Sequence, residues 1–146
     1  MNIVVIDAQG GGLGRQLVAE IRQRYPSVTV TAVGTNSAAT AAMLKAGASQ
    51  GATGENAVVV NCRSADVIIG PIGIVIADSM LGEITERMAT AVGRSSARRI
   101  LLPMNRCDTI VAGVSSKGTA ALVGDAMRCL KELAATVPSG GSCPHE

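Results

Sequence analysis

The stretch NIVVIDAQGGGLG, from Asn2 to Gly14, constrains the fold more than any other segment. Ile3, Val4, Val5 and Ile6 form an unbroken apolar and largely β-branched run, the pattern of a strand covered on both faces. Asp7 ends the run. Gly10, Gly11 and Gly12 follow, then Leu13 and Gly14, and an amphipathic pattern starts at Arg15. A strand that turns through glycines into a helix N-terminus makes a seat for an anion. The first-turn N–H groups are unpaired, and glycine lets a phosphate approach the backbone closely.

The chain is long enough for a single domain with its own core, since it holds 146 residues. Hydrophobic residues make up 47% and charged residues 16%, a balance that excludes a disordered chain. The net charge of +2 offers no electrostatic case for nucleic acid. No apolar run reaches the roughly 20 residues that span a bilayer. Asn2 leads straight into the first strand without a signal-peptide pattern, so a cytoplasmic protein is expected. Cys62, Cys107, Cys129 and Cys143 are scattered with no CxxC pair, which leaves neither a zinc nor a thioredoxin signature. Trp and Phe are absent and Tyr25 is the only tyrosine, so aromatic stacking on a ligand is nearly unavailable. The one histidine, His145, falls in a tail over 138–146 that is expected to be flexible. A His-based triad is therefore disfavoured, and acid–base work would fall to Asp, Glu, Lys or Cys.

Leu13, Leu17, Val18 and Ile21 recur at helical spacing, which predicts a helix over 13–24 that stops at Tyr25-Pro26-Ser27. VTVTAV over 28–33 alternates as a strand. Asn36 or Ser37 then caps a helix over 38–46, closed by Gly47. Residues 49–54 read as a polar loop. AVVVNC over 57–62 is assigned to a short helix starting near Glu55, because only Arg63-Ser64-Ala65 separates it from the next strand, over 66–70. Pro71-Ile72-Gly73 makes a tight loop, followed by an apolar helix or turn over 74–81 and a helix over 83–93. A strand over 99–103 and a fifth over 109–114 precede the last helix, over 118–136. The short link before 109–114 cannot make a parallel crossover, so that strand is expected at an antiparallel edge. The alternation predicts one three-layer α/β sandwich over 1–137, Rossmann-like or flavodoxin-like, with about five mostly parallel strands. The long link after the second strand places the 66–70 strand beside the first, giving order 2-1-3-4-5, with 3-2-1-4-5 as the alternative.

Ligands of open α/β sheets sit beyond the carboxyl ends of the strands, where the topology reverses. Here those ends carry Asp7, Gln9, Gly10, Gly11, Gly12, Leu13 and Gly14; then Thr35, Asn36 and Ser37; then Gly70, Pro71, Ile72 and Gly73; and last Asn105, Arg106 and Cys107. The glycines do not match GxGxxG, because Arg15 stands where the third is needed. Read from Gly12-Leu13-Gly14 backwards they approach a GxxxGxG turn with Ala8 at the first position. No Gly-Lys-Ser/Thr follows, which excludes a P-loop, and Gly70 stands where a receiver domain needs its aspartate. The end of the second strand has neither the acid that holds a ribose diol nor an arginine, so small polar donors there favour NADP slightly over NAD. A mononucleotide or sugar phosphate fits equally well. Asp7 is placed to hold a metal, a ribose or a substrate, or simply to cap neighbouring N–H groups. Arg106 suits a phosphate and Cys107 a nucleophile, or the segment is a surface turn.

The segments VVIDAQGGGLG, AVGTNSAATAAMLKAGA, GATGENAVVVNC, ADVIIGPIGI and ILLPMNRC together resemble a bacterial family of small Rossmann-like proteins catalogued as a domain of unknown function. The resemblance runs to about Val114 and implies a Rossmann-like fold, with no activity or catalytic residues attached. Three readings follow from the residues. The first is a nucleotide- or dinucleotide-binding protein that seats a small phosphorylated ligand on 10–14, with no nucleic acid or membrane partner. The second is a small NADP-dependent reductase or phosphosugar-handling enzyme using Asp7, Arg106 or Cys107. The third is a ligand-free homodimeric assembly protein that pairs through the apolar stretch 72–81.

Overall fold

The computed structural model describes residues 1–104 and 108–136. Its first half runs β1 (Asn2–Asp7), α1 (Gly12–Arg24), β2 (Thr29–Gly34), α2 (Ser37–Lys45), β3 (Gln50–Thr53) and α3 (Glu55–Ser64). Its second half runs β4 (Val67–Pro71), a 3₁₀ turn (Ile72–Val75), α4 (Glu86–Arg94), β5 (Arg98–Leu102) and α5 (Thr119–Thr136). The strands form one sheet in the order β3-β2-β1-β4-β5, and every pairing is parallel. β1 is central: Ile3 lies opposite Val30 of β2 and Val67 of β4.

The alternation of side chains along the strands divides the core into two layers. Ile3 and Val5 of β1 point to one face and pack with Leu17, Val18 and Ile21 of α1, Met43 of α2, and Met127 and Leu130 of α5. Val4 and Ile6 point to the other and pack with Val58 and Cys62 of α3 and Met88 and Val92 of α4. Helices thus cover both faces of a parallel sheet, and the unbroken apolar run of β1 is explained by burial on both sides.

Two expectations about the sheet are corrected. Residues 109–114 form no strand; the segment is irregular, Ile110 is 93% exposed, and Gly113 sits at φ 82°. The fifth strand is instead Gln50–Thr53, inside the stretch expected to be a polar loop, and it pairs in parallel with β2. The antiparallel edge is therefore absent, and β3 is the sheet's outer strand on the β2 side. The strand over 67–71 does lie beside β1, as the long link demanded; the additional β3 gives the chain-order pattern 3-2-1-4-5. AVVVNC is helical within α3, with Val58 and Cys62 one turn apart on the buried face. Within the apolar stretch 72–81 Ile74 is fully buried in the core, Ile72, Val75, Ile76 and Met80 are half-buried, and Leu81 is 97% exposed. Among the described residues no helix is long and apolar enough to cross a membrane. The expected tail over 138–146, with Cys143 and His145, lies outside the described residues.

Candidate functional site

The turn between β1 and α1 is shaped by four glycines with different duties. Gly11 caps α1 in the left-handed region at φ 72°, and its N–H donates to the Ala8 carbonyl at 3.0 Å. A Cβ there would lie 2.7 Å from the Ala39 Cα, so Gly11 lets α1 and α2 approach. A Cβ on Gly14 would lie 2.5 Å from Met43 Sδ and 2.8 Å from Asp7 Cβ. Gly10 and Gly12 differ: nothing lies within 4 Å of a Cβ built on either, and both are exposed. Among the described residues no acceptor engages the N–H groups of Gly10, Gly12 or Leu13. Gly12 and Leu13 begin α1, so their donors carry the positive end of its dipole.

Asp7 closes the turn from beneath. It is 5% exposed; its Oδ1 accepts the Ala8 N–H at 2.8 Å and its Oδ2 the Gly14 N–H at 2.6 Å. One first-turn donor of α1 is thereby satisfied from within the protein. Burial pushes the Asp7 carboxyl above its ordinary range, the Gly14 and Ala8 N–H groups pull it back, and the Glu83 charge raises it further. With both oxygens engaged by the backbone, Asp7 is a capping carboxylate that also borders the cleft above.

Glu83 is the residue that the sequence pattern missed. It projects from the loop between the 3₁₀ turn and α4. Its Oε2 accepts the Gln9 N–H at 2.9 Å, and its Oε1 accepts Thr35 Oγ1 at 3.0 Å and Asn36 Nδ2 at 2.6 Å. Asn36 also donates to the Gln9 carbonyl at 2.9 Å, and its Oδ1 caps α2 by accepting the Ala39 N–H at 2.9 Å. Three rim segments are tied by one carboxylate. Thr35 and Asn36, expected to greet a ribose, spend their donors on Glu83. The reason for favouring NADP disappears with them, because the end of β2 carries an acid after all, supplied by a distant loop.

A cleft of about 300 Å³ opens over the glycine turn between β1 and β4. It collects Asp7, Gln9, Gly10, Gly11, Gly12, Leu13, Pro71 and Gly73 from the expected site, together with Gln16, Met80, Met104 and Thr119. Its lining among the described residues has no Lys or Arg. Ile72 and Ser37 lie outside it, and Ser37 is exposed on α2. Gly70 is a packing glycine whose Cβ would strike the Ile6 carbonyl oxygen. Asn105, Arg106 and Cys107 lie outside the described residues. Gln16 was legible only as part of the polar side of α1, and Thr119 only as the start of the last helix. Among the described residues no cluster of His, Cys, Asp or Glu is arranged to hold a metal ion.

Fold and cleft together define a parallel α/β protein with a glycine turn at the topological switch beside its central strand. The chain belongs to the family described as Domain of unknown function (DUF3842), whose model matches residues 2–135. No curated protein matches the chain. Among solved structures it is similar to the dodecameric FMN-dependent UbiX-like decarboxylase from Escherichia coli O157:H7. The two are 19% identical with a TM-score of 0.47, over 92% of this chain and 76% of that one.

Proposed function

We propose that the protein binds a small phosphorylated metabolite, a nucleotide or a sugar phosphate, with the phosphate on the Gly12 and Leu13 N–H groups. The observation that carries this reading is the pairing of unengaged first-turn donors with bare glycine Cα atoms inside a cleft. The cleft volume of about 300 Å³ lies at the small end of ligand pockets. With the Asp7 carboxylate beneath the turn, one phosphate suits the site better than a polyphosphate. Met80, Met104 and Pro71 offer an apolar wall for the organic part of the ligand, and Gln16 and Thr119 offer polar contacts. Gln9, Gly10 and Gly11 complete the floor.

A thermal-shift panel of inorganic phosphate, ribose 5-phosphate, AMP, FMN, NAD, NADP and ATP tests the reading. A ligand at 100 times its dissociation constant stabilises the protein by about 2.7 kcal/mol. Gly12→Val should abolish the shift while leaving the unliganded melt close to wild type, because the position faces open space. A panel without any shift refutes the proposal.

A further inference from the structure

The Glu83 loop is built rather than loose. Ser79 Oγ donates to the Gly73 carbonyl at 2.5 Å, the Asp78 N–H to the Ile84 carbonyl at 2.7 Å, and the Glu83 N–H to the Met80 carbonyl at 3.2 Å. Asp78, Met80 and Leu81 all hold positive φ, of 63°, 54° and 57°, a backbone that non-glycine residues adopt reluctantly. Directly after Glu83, Ile84 is buried in the core and Thr85 caps α4 by accepting the Met88 N–H at 3.1 Å. Glu83 is thus clamped on both sides, and its carboxylate is delivered to one place: over the end of β2, against Gln9, Thr35 and Asn36.

In an open α/β sheet of this strand order, the nucleoside half of a dinucleotide lies across the end of β2 while its phosphates sit on the first turn. That ground is taken here. Asn36 Nδ2 is spent on two acceptors and Thr35 Oγ1 on one. An arriving ribose, whose hydroxyls an acid in this place would otherwise accept, would have to compete with Gln9, Thr35 and Asn36 for a carboxylate that already accepts three hydrogen bonds. An arriving 2′-phosphate would also meet its charge, and like charges brought together this closely cost binding. The open cleft lies on the other side of the glycine turn, toward β4, and Glu83 does not line it.

We infer that Glu83 is a specificity-determining residue, a fixed plug that bars the nucleoside half of a dinucleotide and confines the site to compact monophosphates lying over β4. The inference rests on the proposed phosphate seat and goes beyond it by naming what the seat rejects. Its chemistry is steric and electrostatic, with no covalent step.

The test compares ribose 5-phosphate and NADP by titration calorimetry in the wild type, Glu83→Gln and Glu83→Ala, with thermal melts to establish that each variant is folded. The wild type should bind ribose 5-phosphate and bind NADP no more tightly. Removing the carboxylate should tighten NADP by about tenfold or more relative to ribose 5-phosphate, as expected for relief of a close charge repulsion. That gain should shrink as salt is raised, a dependence that a merely structural role would not produce. A wild type that binds NADP about a hundredfold more tightly than ribose 5-phosphate overturns the inference and leaves the phosphate seat standing. So does a folded Glu83→Gln whose preference is unchanged. Absence of binding by both compounds in the wild type overturns the seat itself, and the inference with it.

Discussion

Alanine placed in turn at Gly11, Gly12 and Gly14 should give three different stabilities, because the three positions meet different surroundings. At Gly14 the new methyl would lie 2.5 Å from Met43 Sδ, 2.8 Å from Asp7 Cβ and 3.0 Å from Asp7 Oδ2. Met43 is fully buried and Asp7 is held by two backbone donors, so neither moves freely. Overpacking of this kind costs about 1–3 kcal/mol. Displacing the Asp7 carboxylate from the Gly14 N–H puts a further 1.5–3 kcal/mol, roughly, at stake. The gain in helix propensity returns only about 1 kcal/mol. A net loss of about 1.5–5 kcal/mol follows, or roughly 3–20 °C in Tm for a chain of this size. Gly11→Ala should be worse, since it adds about 1–2 kcal/mol for the left-handed backbone and its methyl would meet the Ala39 backbone at 2.7 Å. Gly12→Ala meets nothing within 4 Å and lies on a helical residue, so its stability should match wild type or exceed it by up to about 1 kcal/mol. Urea denaturation of the three variants measures the series. Equal losses at Gly12 and Gly14, or a tolerated Gly11→Ala, would refute the division between packing glycines and open ones.

Asp7 and Cys62 supply two further tests. The Asp7 carboxyl is raised chiefly by burial, so the stability it confers is complete below its ordinary titration range and is lost as pH rises through the raised value. The unfolding free energy of wild type minus that of Asp7→Asn should therefore fall as pH rises through the acid range and level off above it; a difference that is flat or rises with pH contradicts the assignment. Burial pushes the Cys62 thiol up to about 11, whereas Cys129 is exposed on α5. Peptide-level alkylation at neutral pH should modify Cys129 readily and Cys62 only after unfolding, and rapid labelling of Cys62 in the native protein would contradict its packing against the sheet.

The central strand and its glycine turn were legible because each follows from a local rule. A both-faces-buried strand needs a continuous apolar run, and the tight approach of α1 to α2 and to Asp7 needs glycine at Gly11 and Gly14. The helix over AVVVNC was legible from chain length, since too few residues remained for two strands in succession. What stayed hidden depended on partners far along the chain. Gln50–Thr53 has only four residues, one a glycine, and becomes a strand because β2 offers it an edge. Residues 109–114 carry strand-like apolar residues, but they pair with no strand: Gly113 turns the backbone at positive φ and Ile110 is left exposed. Glu83 reaches Gln9 across 74 positions, a distance over which spacing and periodicity carry no information. The same contact removed Thr35 and Asn36 from the expected ribose seat. Sequence reasoning found the loops of the rim and missed the side chain that joins them.

The central claim is that unengaged donors at the start of α1 receive a phosphate. Amide-resolved NMR titration with ribose 5-phosphate observes those donors directly. Saturable downfield shifts of the Gly12 and Leu13 N–H resonances, with the Gly14 N–H bonded to Asp7 moving much less, are the predicted result. Binding that moves resonances on a different surface and leaves Gly12 and Leu13 unmoved would contradict the account.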